Sequence, residues 1–503
     1  MAIKRQELIE GNTFPGRTYV EAVLEPAYRQ AQQELLLPML AVHKAHLVML
    51  LEQGLLPKED GSKIAAALLT IDLQQLSSGS YSGQFEDLYF EVEHKLLELS
   101  DKASGSLHLA RSRNDMGIAI YRIVLRKKLL NVLHSSLELH ASLLAFASKH
   151  TDTIMIAHTH TQQAQPTTLA HYIAAVIDSL ERDIRRLQAA YANCNLSSMG
   201  AAALTTSGFA INRERVAELL AFDGLIENSY DAVSSADYVA EIAAALQLAA
   251  INLGRFAQEL LLWCTQEFAA IQVAAPYVQI SSIMPQKRNP VSVEHVRSLL
   301  SSIAGNTQTV LTMIHNTPFG DIVDTEDDMQ PYAWKSLDTL DAVYRLLSKV
   351  IATLHVNEDV LEQRAAASFA TVTELADTLV REEGLSFREA HSIVSKLVAL
   401  AVQRGDSVSD LGLHSLNEAA LQTIGIPLRL NEKQLKEALD PRHFVQIRTL
   451  RGGPSPSEMT RSMQARHHNL VSLTLWVKDR ETSLEEASSK LDALLSDRFI
   501  KQT

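Results

Sequence analysis

Cysteine is almost missing from this chain: Cys194 and Cys264 are the only two in 503 residues. A disulfide framework is thereby excluded, and a reducing cytosol fits. Glycine is limited to 20 residues and alternating apolar–polar runs are scarce, so β-rich folds are not expected. A positive charge balance is missing too. The formal charge is −13 and the pI about 5.8, which argues against nucleic acid as a partner. The uncharged stretch from Phe268 to Gln286 contains Pro276 and several glutamines and serines, so it is no membrane span. The opening residues, MAIKRQELIEGN, carry no apolar signal segment. These absences describe a soluble cytoplasmic protein whose partners are neither nucleic acid nor membrane.

What is present is helical period. With 46% hydrophobic residues the chain can bury a large core and divide into two or three domains. YVAEIAAALQLAAINLGRFAQELLLW, residues 238–263, is apolar around most of its circumference and carries only three charges. Such a helix belongs in the middle of a bundle. TTLAHYIAAVIDSLERDIRRLQAAYANC and NPVSVEHVRSLLSSIAGNTQTVLTMI read as further long helices, opened by Thr and Asn-Pro signals. The expectation is a mostly α fold in three parts. These are a mixed or helical N-terminal domain (1–112), a central long-helix bundle (113–362) and a helical C-terminal domain (363–503), with VNEDVLEQ at the last boundary.

Three polar constellations interrupt this pattern. The first is LHLARSRNDMG, residues 107–117, where Ser112, Arg113 and Asn114 stand just before a long helix. Hydroxyl, guanidinium and amide groups at a helix N-terminus make a receptor for a carboxylate. A capped helix start with solvated arginines fits the same residues. The second is IAHTHTQQAQPTT, residues 156–168, with His158, His160 and nearby His171. Alternating histidines on one strand face suggest a metallohydrolase, but no Asp or Cys cluster completes a ligand set. A structural histidine or an acid–base histidine in a metal-free site also fits. The third is SSIMPQKRNP, residues 281–290: two serines, Lys287 and Asn289 in one short loop, with Glu294 soon after the Asn-Pro helix start. That concentration of unlike polar groups points to a ligand site.

SSIMPQKRNP resembles the signature loop of the fumarase/aspartase superfamily, G-S-S-x-M-P-x-K-x-N. ARSRND and HTHTQQAQPTT are similar to motifs of its argininosuccinate lyase branch, and MGAAALTTSGFAINR, NSYDAVSSADYVAE, WCTQEF and RGGPSPSEM agree in order and spacing. The resemblance implies a carbon–nitrogen lyase that releases fumarate from an N-substituted aspartate, with no cofactor and no metal. It implies homotetramers built on a twenty-helix core, each site taking segments from three subunits. By the same resemblance Ser281 is the base, activated by Lys287 and loop amides. Ser112, Arg113, Asn114 and Thr159 hold the succinyl group, Lys287 and Asn289 hold the carboxylate whose charge grows, and His160 paired with Glu294 protonates the departing nitrogen. The residues after about 468 look like an added amphipathic helix.

The match fails on one side. In TPFGDIVDTEDDMQP, residues 317–331, Asp321 stands for the branch's Tyr, Glu326 for its Gln and Met329 for its Lys. The resemblance places these positions against the arginine part of the substrate. Two added acids and a lost lysine favour a cationic amine, such as a diamine, over one bearing a carboxylate. An acidic solvated loop is the plainer reading of the same residues. A catalytically silent, crystallin-like relative is the alternative from a different class. Retention of Ser281, His160, Glu294, Lys287 and Asn289 together argues against it.

Overall fold

The computed structural model describes residues 14–496. The stretch MAIKRQELIEGN and residues 497–503 lie outside them. Five long helices dominate: Arg113–Lys149, Leu169–Cys194, Asp237–Trp263, Val291–Ile314 and Gln330–Ala352. Each packs against the next in this order, and the fifth returns to the first, closing a ring. Their apolar faces share one core that includes Leu125, Ile173, Ile242, Val296 and Leu337, all fully buried.

The first bundle helix is tied across the core by polar groups as well. His140 Nε2 lies 3.1 Å from Glu181 Oε1 on the second helix, and both side chains are buried. Arg126 donates to Asn195 Oδ1 (2.8 Å) and to the carbonyls of Leu220 (2.6 Å) and Ala221 (3.1 Å). Burial pulls its pKa down to about 10. Arg122 donates to the Asn193 carbonyl at 2.8 Å and lies 3.8 Å over the Tyr238 ring. A buried cation stays tolerable when carbonyl oxygens replace its water.

Asp237–Trp263 lies in the bundle, as its apolar period leads one to expect. It is not enclosed on all sides: Leu248, Ile251 and Leu262 are exposed, as is Leu299 on the neighbouring helix. Its length and composition would suffice to cross a membrane, but here it lies within the bundle against Leu169–Cys194, Val291–Ile314 and Gln330–Ala352. The apolar period was read correctly, and one chain does not supply enough surface to cover it.

The N-terminal part is helical rather than mixed. Among the described residues the first strand begins at Ile154. Leu36–Glu52 is almost continuously apolar and packs with Lys58–Thr70 and Leu88–Leu99 around a second core. A third core gathers the helices between Val372 and Leu439. Gly405, at φ 75°, caps one of them in the left-handed conformation that glycine adopts without strain. The strands form four two-stranded pieces.

The end of RGGPSPSEM, from Pro456, and the tail to Leu495 prove to be one element. Pro456–Leu495 is a single helix of 40 residues. It binds the second bundle helix through Arg466–Asp178 (2.8 Å) and Asn469–Glu181 (2.9 Å). Farther along it reaches the N-terminal core, where Leu491 and Leu495 are buried and Asp492 pairs with Lys44 at 2.7 Å. The tail is a clasp between bundle and N-terminal part.

One buried carboxylate fixes the start of the first bundle helix. Asp115 Oδ1 accepts the Ser112 N–H (2.9 Å), and Oδ2 accepts those of Gly200 (2.9 Å) and Ala202 (3.0 Å). Gly200 sits at φ 82°, and a Cβ there would come within 2.6 Å of Arg213, so the turn that wraps the carboxylate requires glycine. Burial raises the Asp115 pKa to about 6 against the opposing pull of these N–H donors. Asp115→Ala strands three N–H donors, that of Gly200 buried and those of Ser112 and Ala202 half-buried. A loss of about 3 kcal/mol in unfolding free energy is expected from denaturant titration; a loss below about 1 kcal/mol would mean that the turn re-pairs its amides elsewhere.

Candidate active site

The three constellations lie at the ends of bundle helices. Ser112 is the N-cap of Arg113–Lys149 in a capping box with Asp115. Its hydroxyl donates to Asn114 Oδ1 at 2.7 Å, and Asn114 Nδ2 donates to Asp321 Oδ2 at 2.6 Å. Arg113 pairs with Asp87 and lies over the rings of Tyr89 and Phe90, 5.4 and 4.9 Å from their centroids. Thus Ser112, Arg113, Asn114 and Asp321 meet in one chain, and Glu326 joins them. A Cβ on Gly117 would stand 2.7 Å from Glu326 Oε1, so this glycine lets the carboxyl pack against the helix backbone. Asp327, held by the Tyr121 hydroxyl, completes an acidic wall on a π-helical turn, Asp324–Asp328. Such turns recur where a helix is locally reshaped for function.

Two expectations about this wall need correction. Met329 does not face a ligand: it is fully buried in the bundle core. Asp321 and Glu326 do not act as two full charges either. Burial, followed by the adjacent Asp321 and Asp327, raises the Glu326 pKa to about 10. Like charges this close in a desolvated place keep one proton between them.

The second constellation stands on a hairpin, Ile154–Thr159 with Gln162–Thr168. Thr159 pairs with Gln162, and the two-residue tip, His160 and Thr161, has φ of 51° and 59°. Both residues are left-handed, as the tight primed turn requires. For a β-branched threonine that conformation is strained, a condition found where function dictates backbone shape. His160 is exposed. The shared-face premise of a His158–His160 metal pair fails, because a bulge follows Ala157 and His160 lies in the turn. His171 is also engaged, with Thr167 Oγ1 at 2.8 Å and the Gly452 carbonyl at 2.9 Å.

The third constellation is another small hairpin, Gln279–Ile280 with Arg288–Asn289. Ser281 Oγ accepts the N–H groups of Met284 (3.0 Å) and Ile283 (3.3 Å). Two amide donors aimed at a hydroxyl oxygen favour its alkoxide. Lys287 is exposed on the same loop, Asn289 is half-buried, and Glu294 lies exposed in the first turn of Val291–Ile314.

These groups do not converge within the chain. Arg113–Lys149 has 37 residues and is therefore about 55 Å long. Ser112, Arg113, Asn114, Asp321 and Glu326 occupy the end where it starts. Thr159 and His160 follow its far end. The 281–294 segment follows the end of Asp237–Trp263 and so lies at that far end too, where the His158 ring of the hairpin is 6.2 Å from the Phe268 ring. Among the described residues no hydrogen bond or ion pair joins His160 to Glu294. Reading from sequence also missed Asp87 and Tyr89. The N-cap pattern of Asp87 before an apolar-periodic helix was their available signal.

Comparison with known proteins now adds to this geometry. A family model described as Lyase matches residues 85–305, and one described as Argininosuccinate lyase C-terminal matches 369–446. Argininosuccinate lyase 2 of Agrobacterium fabrum is 38% identical over 97% of both chains. Argininosuccinate lyase of Methanosarcina barkeri is 40% identical over 86% of this chain and 87% of that one. The chain belongs to the argininosuccinate lyase family. Its activity class is therefore that of a carbon–nitrogen lyase, and its mostly helical architecture is that of the superfamily. A crystal structure of EDDS lyase with formate superposes at a TM-score of 0.87, with 32% identity, over 94% of this chain and 93% of that one. A variant of EDDS lyase carries bound fumarate.

The raised Glu326 pKa has a measurable consequence for this family member. Folded chain retains that proton up to about pH 10, whereas an unfolded glutamate releases it near its ordinary value. Its stabilising contribution is thus complete in acid and is lost as pH rises across that window. Glu326→Gln cannot titrate, so its stability relative to wild type should improve from about pH 6 to about pH 9 in urea unfolding. A difference constant over that range would show that the wild-type carboxyl is already ionised.

Proposed function

We propose that this chain, in the cytoplasm, reversibly eliminates fumarate from an N-substituted L-aspartate. Its sites are shared by three subunits of a homotetramer. The Ser281 hydroxyl, with two backbone N–H groups on its oxygen, carries the reading. Those donors, with Lys287, stabilise the alkoxide that removes the Cβ proton. Electrons from that C–H bond pass into the neighbouring carboxylate, whose growing charge Lys287 and Asn289 hold. Collapse of this intermediate breaks the C–N bond, and His160, paired with Glu294 of another subunit, protonates the departing nitrogen. Ser112, Arg113, Asn114 and Thr159 hold the succinyl group.

The amine is a cation without a carboxylate at the position facing Asp321 and Glu326. Asp321 is anchored by Asn114, and a cationic nitrogen arriving beside it draws the proton from Glu326, restoring a second negative charge. The likeness to EDDS lyase supports an amine other than arginine. Argininosuccinate itself is the second reading, favoured by the names of the curated relatives.

Ser281→Ala should lower turnover by about 100-fold or more while fold and assembly persist. Fumarate release within about tenfold of wild type would remove Ser281 from the chemistry. Asn114→Ala and Ser281→Ala, each inactive alone, should regain activity after subunit exchange, because some hybrid sites then contain neither change. Exchange demonstrated by mass spectrometry with no activity regained would leave each site to a single chain. The amine is tested by supplying fumarate with arginine, simple diamines or amino acids and following fumarate consumption. Diamines should be preferred, and a clear preference for arginine would select the second reading.

A further inference from the structure

The succinyl-binding role of Arg113 raises the question of what aims its guanidinium. The first turn of Leu88–Leu99 surrounds it on three sides. Asp87 uses both carboxylate oxygens: Oδ1 accepts the Phe90 N–H at 3.1 Å as a helix cap, and Oδ2 pairs with Arg113. Tyr89 and Phe90 place their rings beneath the cation and pack edge-on against each other, centroids 5.5 Å apart.

Tyr89 does more than supply a ring. It is buried, and its hydroxyl shares a hydrogen bond with His108 Nδ1 at 2.9 Å. The Arg111 guanidinium lies beside the same hydroxyl. On its other side the ring stacks with His43 at 6.1 Å, and His43 has no hydrogen-bond partner for either buried ring nitrogen. Between His108 and Arg111 the chain passes through Ala110 at φ 60°, a conformation that residues with a side chain seldom adopt. One side chain therefore holds the segment before the site by its hydroxyl and the cation within the site by its ring.

We propose that Tyr89 is a positioning residue for the reaction, fixing the direction in which Arg113 presents its guanidinium to the substrate carboxylate. This rests on the reading that Arg113 holds the succinyl group. The ring carries the effect and the hydroxyl is secondary, because a cation–π contact needs only the face.

Initial rates of fumarate addition, with fumarate and amine varied separately, test this in the full-length enzyme. Tyr89→Leu should raise the KM for fumarate about tenfold, with kcat and the amine KM changing less than about threefold. Tyr89→Phe should stay within about threefold of wild type. Arg113→Lys should raise the fumarate KM, and the Tyr89→Leu/Arg113→Lys double variant should be no worse than Arg113→Lys alone, since both act through one group. Equal defects in the Phe and Leu variants, multiplying effects in the double variant, or a uniform fall in all kinetic constants would overturn the proposal. If Tyr89→Leu does not fold, Phe90→Leu makes the same cut at the half-buried ring, and an unchanged fumarate KM there counts equally against it. A normal fumarate KM in Arg113→Lys would instead show that the underlying reading of Arg113 is wrong, and the proposal would fall with it. A raised KM in Arg113→Lys beside a normal one in Tyr89→Leu would overturn the role of Tyr89 alone.

Discussion

A continuous α-helix keeps its two ends apart, and Arg113–Lys149 imposes that separation on everything around it. Thirty-seven residues at helical rise hold the Ser112–Asn114 cap about 55 Å from the segment that leads to His160. The other bundle helices follow its axis, so each loop between them belongs to one end or the other. Polar groups that chemistry needs within hydrogen-bond reach are thus placed beyond reach inside a single chain. A second consequence is visible on Asp237–Trp263, whose exposed Leu248 and Ile251 form an apolar face. On the proposed reading, one surface that wants covering and one site that wants completing would both be met by the same event, association with further copies.

Charge is handled differently at the two ends of this helix. At the cap end, buried ionisable groups are satisfied by backbone. Asp115 takes three N–H donors, while Arg126 gives most of its hydrogen bonds to carbonyls. These contacts stiffen the frame without requiring a partner charge that ligand binding could disturb. At the far end, Ser281, Lys287 and His160 stand in small hairpins with little of their own chain around them. The frame is thus braced by its own backbone at the end proposed to grip substrate and open at the end proposed to move protons. Reagents on short hairpins can be inserted into a site made by other subunits, which a group buried in its own domain cannot do.

Much of this was legible in sequence, for reasons that differ by level. Helical period exposed the bundle because an apolar face repeats locally and does not depend on distant residues. Ser281, His160 and Asn114 stood out as candidates because unlike polar groups crowd into short loops that packing alone would not require, and their roles came from the family resemblance. The same period placed Asp237–Trp263 in the bundle, but period reports that a face is apolar and not which chain covers it. Met329 was misassigned for a related reason: position along a motif does not determine whether a side chain turns inward, and this one fills the core. The proton on Glu326 was invisible because it arises from burial and from Asp321, five residues away in sequence but adjacent in the folded turn. Tyr89 and Asp87 escaped because each looks like an ordinary helix start until Arg113 is placed above them.

In the proposed reaction Asn114 joins the two halves of the site. Its Oδ1 accepts the Ser112 hydroxyl, and its amide nitrogen donates to Asp321. The group assigned to the succinyl part is therefore already bonded to the group that faces the amine. A residue at 321 that could not accept this hydrogen bond would leave the amide free to turn, and with it the Ser112 hydroxyl. On the proposed function, Asp321 would be both an electrostatic selector for the amine and, through Asn114, a structural support for the carboxylate grip. Both roles favour an acceptor there, which links the altered amine side to an elimination apparatus that keeps its expected residues. Glu326, protonated and packed against Gly117, limits the repulsion that a second anion beside Asp321 would bring while the site is empty. Its proton can leave when a cation arrives, so the same pair is tolerable unliganded and attractive to substrate.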